Sequence, residues 1–217
     1  QALALTSDLF LGAAVFSGAN DYSITTSGSG SFRPTRLHNY GTGVLTLGKM
    51  GDANIDHYGT GKTILTVNSL AAGTRAFNIY GGTIQLSTNL QINQGTSALS
   101  INMNNGALIG DTATSSFALD NAGSFPRSFI IGEGGGAFDV IGGNTLTISG
   151  VISGSGPLTL GSASSSGTLE LGAVNTYTGG TTIKGGTVLL SGSLAAGSEL
   201  TITGGTLDLD GNTQSIG

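Results

Sequence analysis

Short apolar strands separated by glycine pairs recur along this chain. Residues 181–190 read TTIKGGTVLL, and residues 200–209 read LTITGGTLDL, about 19 residues further on. A related copy, FNIYGGTIQL, occupies residues 77–86, and the pair NYGTGVLTLG and HYGTGKTILTV begins at residues 39 and 57. In each copy the glycines permit positive φ, so the chain can turn sharply between two short strands. The pattern predicts an all-β protein with many corners.

Alternation within the second strand of each copy separates an apolar face from an outward one. Leu207 and Leu209 share one face, and Asp208 points the other way. One such unit cannot bury its apolar face alone, whereas stacked units bury a continuous core. We therefore expect equivalent positions of successive units to be vertical neighbours, namely residues 168, 187 and 206.

The spacing of the units predicts a parallel β-helix, or β-solenoid, of roughly ten coils of about 19–23 residues each. With about 4.8 Å between stacked strands, the rod would be about 50 Å long. A leucine-rich horseshoe is not expected because LxxLxL units are missing, and a propeller would need longer blades. Since apolar residues at helical spacing persist nowhere, we expect no α-helix beyond a cap.

The composition agrees with this fold and argues against several classes of function. Glycine supplies 39 of 217 residues, 38% of the residues are hydrophobic, and only 9% are charged. The net charge is −5 without a basic stripe, so nucleic-acid binding is not expected. There is no cysteine for disulfides or thiolate metal sites, and no apolar run approaches the roughly 20 residues of a transmembrane helix.

Two motifs near the end of the chain carry a family resemblance. Residues 175–182 read NTYTGGTT, and residues 149–156 read SGVISGSG. Both resemble the autotransporter passenger-associated β-strand repeat. The clear match covers residues 142–192. Residues 204–217 look like the start of a further unit, whereas residues 1–140 resemble the family only in their general pattern.

The resemblance implies a right-handed parallel β-helix in a bacterial protein that is secreted or exposed at the cell surface. It implies one continuous solenoid, with irregular coils over residues 1–140 and clear repeats over residues 141–217. The family repeat has no catalytic residues or cofactor to carry over.

The function expected from these features is structural. We predict a non-catalytic extracellular rod or filament segment that needs no cofactor. Solenoid ends expose edge strands and apolar faces, so this chain is expected to pair head to tail with copies of itself. The alternative is an adhesin that binds surface glycans or host surfaces, and a polysaccharide-acting enzyme is the third interpretation.

Among possible ligands, calcium is the one for which the sequence offers the most specific motif. Asp52, Asn54 and Asp56 have the 1, 3, 5 spacing of a calcium loop. However, His57 stands at the glycine position, and Thr63 stands where the bidentate glutamate belongs. We interpret the segment as a turn rich in Asx hydrogen bonds.

Three further aspartates are weaker calcium candidates. Asp139 lies in GGGAFDVI, which nearly fits the calcium-binding nonapeptide of RTX proteins, but Ala137 replaces a required glycine and there is one copy. That segment is interpreted as a glycine corner followed by a strand. Asp208 and Asp210 are interpreted as a solvated strand face, so no metal site is predicted.

Carboxylate pairs would favour a glycan hydrolase, which needs an acid and a base or nucleophile across a sugar. Glu133, Glu170 and Glu199 are scattered singly. Glu170 and Asp208 fall two coils apart with Leu189 between them. This spacing indicates dispersed like charge and disfavours an enzyme.

Histidine and tyrosine positions also recur at the coil spacing. His38 and His57 are about 19 residues apart and are interpreted as exposed ladder positions, because two imidazoles without a third ligand make a poor metal site. Tyr40, Tyr58 and Tyr177 would form a carbohydrate-binding surface if they were exposed in a row. We interpret them instead as residues that pack at corners.

Overall fold

The computed structural model describes residues 1–26, 31–51, 53–66, 76–87, 99–120 and 126–217. Within these ranges the chain consists of 22 strands, and no helix is present. Accordingly, the described part of the chain has no helix that could cross a membrane. The prediction of an all-β chain is confirmed.

The strands form three sheets, and within each sheet neighbouring strands run parallel. The ten-stranded sheet contains, in spatial order, β1 (Ala2–Leu5), β3 (Tyr22–Thr26), β5 (Val44–Leu47), β7 (Lys62–Leu65), β9 (Thr83–Leu86), β11 (Gly106–Asp111), β14 (Gly136–Ile141), β17 (Leu158–Leu160), β19 (Thr181–Ile183) and β21 (Leu200–Ile202). The seven-stranded sheet contains β2 (Leu9–Phe16), β4 (Phe32–Asn39), β6 (Asn54–His57), β8 (Phe77–Ile79), β10 (Ser100–Met103), β13 (Ser128–Ile131) and β16 (Ile152–Gly154). The five-stranded sheet contains β12 (Phe117–Ala118), β15 (Thr145–Ile148), β18 (Thr168–Leu171), β20 (Thr187–Leu190) and β22 (Thr206–Asp208).

Each strand pairs with the equivalent strand of the next coil, so the chain winds into a parallel β-solenoid of about 8 turns. Thr168 pairs with Thr187, and Thr187 pairs with Thr206. The predicted vertical register is therefore confirmed. The second glycine of the repeated pair has positive φ in three copies, as the corner requires: Gly82, Gly186 and Gly205.

The core lies between the sheets and consists of side chains stacked along the rod. On the seven-stranded sheet one inward column reads Leu37, Ile55, Phe77, Ile101, Phe129 and Ile152, all buried. Phe129 meets Phe138 of the ten-stranded sheet edge to face, with ring centroids 4.8 Å apart. These contacts join the two sheets across the core.

Candidate functional site

Three exposed tyrosines stand one above another at the end of the seven-stranded sheet. Tyr40, Tyr58 and Tyr80 directly follow β4, β6 and β8. The backbone N–H of Tyr58 donates to the Asn39 carbonyl at 2.8 Å, and that of Tyr80 donates to the His57 carbonyl at 2.7 Å. These coil-to-coil bonds hold the three residues in vertical register. We call them the tyrosine ladder.

The rings of the tyrosine ladder form an offset stack. The centroids of Tyr40 and Tyr58 are 4.9 Å apart with planes 7° from parallel, and those of Tyr58 and Tyr80 are 5.0 Å apart at 17°. In an offset stack each ring covers only part of the next. Accordingly, the three residues remain 51%, 40% and 38% exposed. Within the described part of the chain their hydroxyls have no hydrogen-bond partner.

The structure separates the three tyrosines that the sequence brings forward: Tyr177 packs inside, as interpreted, whereas Tyr40 and Tyr58 are exposed. Tyr40 and Tyr58 stack in register as predicted, but Tyr177 is only 1% exposed, and its hydroxyl is hydrogen-bonded to Thr181. Burial raises the pKa of Tyr177. Its place in the exposed row is taken by Tyr80. The signal that identifies Tyr80 is the Tyr-Gly pair, which follows a strand in all three coils.

A row of polar side chains runs beside the tyrosine ladder on the outward face of the same sheet. His38, Asp56, Asn78 and Asn102 pair in register. The Asn78 amide donates to Asp56 Oδ1 at 2.6 Å, and the Asn102 amide donates to Asn78 Oδ1 at 2.7 Å. We call these four residues the polar row. Their hydrogen bonds fix the amide orientations along the rod.

The single carboxylate of the polar row is paired. Asp56 Oδ2 lies 3.3 Å from Arg36 Nε and 3.4 Å from His38 Nδ1. The His38 ring stacks against Tyr40 and Tyr58, with centroids 6.0 and 6.2 Å away. Desolvation and the nearby Asp56 charge raise the pKa of Tyr58, so its phenol stays protonated and can donate a hydrogen bond at neutral pH. The face therefore presents amide, phenol and imidazole groups beside one ion pair.

His57 lies inside the solenoid, with 0% of its surface exposed. Its Nε2 is 3.2 Å from the Gly61 carbonyl, which only accepts, so Nε2 carries the proton of the neutral ring. Nδ1 then accepts from Asn39 Nδ2 at 3.2 Å and from the Thr63 hydroxyl at 3.1 Å. The interpretation of His38 and His57 as two exposed ladder positions was wrong, because His38 pairs with Asp56 and His57 with Asn39.

The buried imidazole predicts an acid-sensitive stability. Burial lowers the pKa of His57 from its usual 6.5, so the unfolded chain binds this proton more readily. The free energy of unfolding should therefore be unaffected above pH 6.5 and should fall as the pH drops below 6.5 towards the folded pKa. The slope is at most about 1.4 kcal/mol per pH unit. Urea titrations between about pH 7.5 and about pH 5.5 would measure it.

His57→Asn should flatten this part of the pH profile, whereas His38→Asn should leave it in place. The two variants form a matched pair, because each removes one imidazole and the two histidines lie in adjacent coils. An unchanged slope in His57→Asn would show that the acid sensitivity has another source.

The structure places the calcium candidates in separate surroundings. Asp52 lies outside the described residues. Asn54 is in register with Arg36, and Asp56 faces the donors of the polar row. Asp139 accepts hydrogen bonds from the hydroxyls of Ser162 and Ser165, and Asp208 Oδ1 accepts the Asp210 N–H at 3.0 Å. Among the residues that the structure describes, no group of three or more His, Cys, Asp or Glu side chains could hold a metal ion.

The glutamates are also held apart. Glu170 accepts hydrogen bonds from the hydroxyls of Thr147 and Ser191, at 2.9 and 2.7 Å. Leu189 lies between Glu170 and Asp208 in the five-stranded sheet, as predicted. Glu133 and Glu199 are exposed at separate corners.

Comparison with known proteins gives no relative for this chain. No family model, curated protein or solved structure matches it.

Proposed function

We propose that this chain is a non-catalytic structural segment, a rod that belongs to a secreted or surface-exposed bacterial protein. The observation that supports it is the unbroken series of ten parallel strands from β1 to β21 in one sheet. Because each coil contacts only its neighbours, the number of coils sets the length of such a rod. The low charge and the resemblance of residues 142–192 to autotransporter repeats support the location.

Right-handed winding and roughly ten coils are part of the proposal. Parallel strands joined by crossover connections are right-handed in nearly all known cases, because strands twist to the right. The ten strands of the longest sheet support the coil number.

Association of rods end to end extends the proposal to a second copy of this chain. At the β1–β2 end Leu3 and Phe10 are exposed, and at the β21–β22 end Ile202 is exposed. Sheet edges with open N–H and C=O groups beside apolar side chains are sites where another strand can pair. A second copy stacked coaxially would cover both kinds of surface.

Sedimentation velocity tests the rod and its association separately. We expect an elongated monomer about 50 Å long at low concentration and longer particles as the concentration rises. Ile202→Lys should abolish the lengthening, because a charge would be buried between coils. Ile130→Lys is the matched control, since Ile130 is similarly exposed but lies mid-rod on β13.

A monomer that stays the same length at all concentrations would overturn end-to-end association. The frictional ratio of a compact sphere would overturn the rod itself. Equal effects of the two lysine substitutions would show that association does not use the coil end.

A further inference from the structure

We propose that the tyrosine ladder and the polar row bind a neutral, extended polysaccharide whose chain runs along the rod axis. This goes beyond a structural role, because it gives one face of the rod a ligand. The site comprises Tyr40, Tyr58 and Tyr80 with the exposed edge of the polar row and Arg36.

The fold does not need tyrosine at these corners. In the next coils the same corner is occupied by Asn104 and then by Gly132. The Asn104 N–H donates to the Ile79 carbonyl at 2.8 Å, and the Gly132 N–H donates to the Met103 carbonyl at 2.7 Å. These bonds are equivalent to those of Tyr58 and Tyr80. Three consecutive exposed aromatic residues at a corner that also accepts asparagine and glycine therefore point to a ligand.

The ring geometry fits a chain of sugars. A sugar ring has an apolar C–H face and a rim of hydroxyls, and tyrosine offers an aromatic surface with a polar tip at low entropic cost. The offset stack leaves part of each ring uncovered, and the hydroxyls of the three tyrosines make no hydrogen bond to another described residue. The ring spacings of 4.9 and 5.0 Å are close to the advance of one pyranose in an extended β-1,4-linked glycan. One sugar can therefore meet each tyrosine.

The charges of the site favour a neutral ligand. Asp56 is neutralised by Arg36, and the other members of the polar row, together with the tyrosines, present amide, imidazole and phenol groups. The chain carries a net charge of −5, which repels polyanions. Arg36 and Asn102 retain exposed surface and supply donors beside the ladder, while the buried Asn78 and Asp56 hold them in place.

Isothermal titration with four hexasaccharides tests the ligand class. We expect cellohexaose or chitohexaose to bind, and maltohexaose, which contains the same sugar as cellohexaose in a coiled α-1,4-linked chain, not to bind. A heparin hexasaccharide serves as the polyanion. The proposal is overturned if neither extended glycan binds, if maltohexaose binds equally well, or if heparin is preferred.

Substitutions test the site. Tyr58→Asn installs the residue that the first coil after the ladder carries at this corner, Asn104. We expect about a tenfold loss of affinity for the bound glycan. Tyr58→Phe keeps the ring and removes the hydroxyl, so a smaller loss of about threefold is expected. Val174→Thr is the control, because Val174 is exposed, far along the rod and nearly the same shape as threonine.

Circular dichroism and the Tm of each variant show whether the coil is intact. Unchanged affinity in a folded Tyr58→Asn protein would overturn the proposal, as would an equal loss in Val174→Thr. If the rod proves elongated and lengthens with concentration yet binds no glycan, only the ladder proposal fails, so the two proposals are distinguishable.

Discussion

Replacing Phe129 with alanine is expected to lower the free energy of unfolding by about 3–5 kcal/mol. Phe129 is fully buried in the inward column of the seven-stranded sheet and packs edge to face on Phe138 of the ten-stranded sheet. Alanine would leave a cavity where the two sheets meet and would remove the aromatic contact. Urea unfolding followed by circular dichroism measures the loss.

Phe10→Ala is the control for Phe129→Ala. Phe10 is 69% exposed on β2, where its ring lies under the Arg33 guanidinium. We expect its removal to cost less than about 1 kcal/mol. Similar losses for the two phenylalanines would contradict the core described here.

Gly156→Ala is expected to destabilise the solenoid by about 3 kcal/mol or more. A Cβ at residue 156 would lie 1.7 Å from the Gly132 carbonyl oxygen of the preceding coil. Neither backbone can move away without breaking coil-to-coil hydrogen bonds, such as that from the Gly156 N–H to the Ile131 carbonyl. The midpoint of thermal unfolding should fall accordingly.

Gly143→Ala is the control for Gly156→Ala, because it adds the same methyl group at a glycine that has no close neighbour. A Cβ at residue 143 meets no atom within 4 Å, and its φ is not in the left-handed region. Alanine there should be neutral or stabilising by up to about 1 kcal/mol, because it restricts the unfolded chain. Equal behaviour of the two variants would show that close approach of the coils does not limit stability at residue 156.

These two predictions concern different parts of the same architecture. Phe129 lies in the core that closes the coil in cross-section, whereas Gly156 lies where one coil touches the next. A solenoid depends on both, because its stability is the sum of the coils and their interfaces. If the tyrosine ladder binds a glycan, it does so on a scaffold whose spacing is set by these backbone contacts.

The repeats near the end of the chain could be predicted in detail. The copies at residues 181–190 and 200–209 contain no insertion relative to each other, so the register of Thr187 with Thr206 followed from simple alignment. The outward positions of Glu170 and Asp208 followed from strand alternation. In this region local pattern and coil length agree.

The candidate site could be predicted only in part. The coil containing β4 and β6 advances 18 residues between Asn39 and His57, one residue fewer than the separation of the two histidines. A one-residue difference moves a side chain to the opposite face of a strand, which is why His57 is buried while His38 lies in the polar row. The same kind of uncertainty grouped Tyr177 with Tyr40 and Tyr58 as candidates and omitted Tyr80.

By itself, the sequence determined the architecture. Short alternating β-branched strands joined by glycine corners cannot bury their apolar face within one unit, and they bury it when successive units stack. The tertiary structure decided which polar and aromatic residues meet on one surface. That depends on the length of each connection between strands, and so on the pairing of coils that are distant along the chain. Tyr40, Tyr58 and Tyr80 become a ladder only when three coils of unequal length come into register.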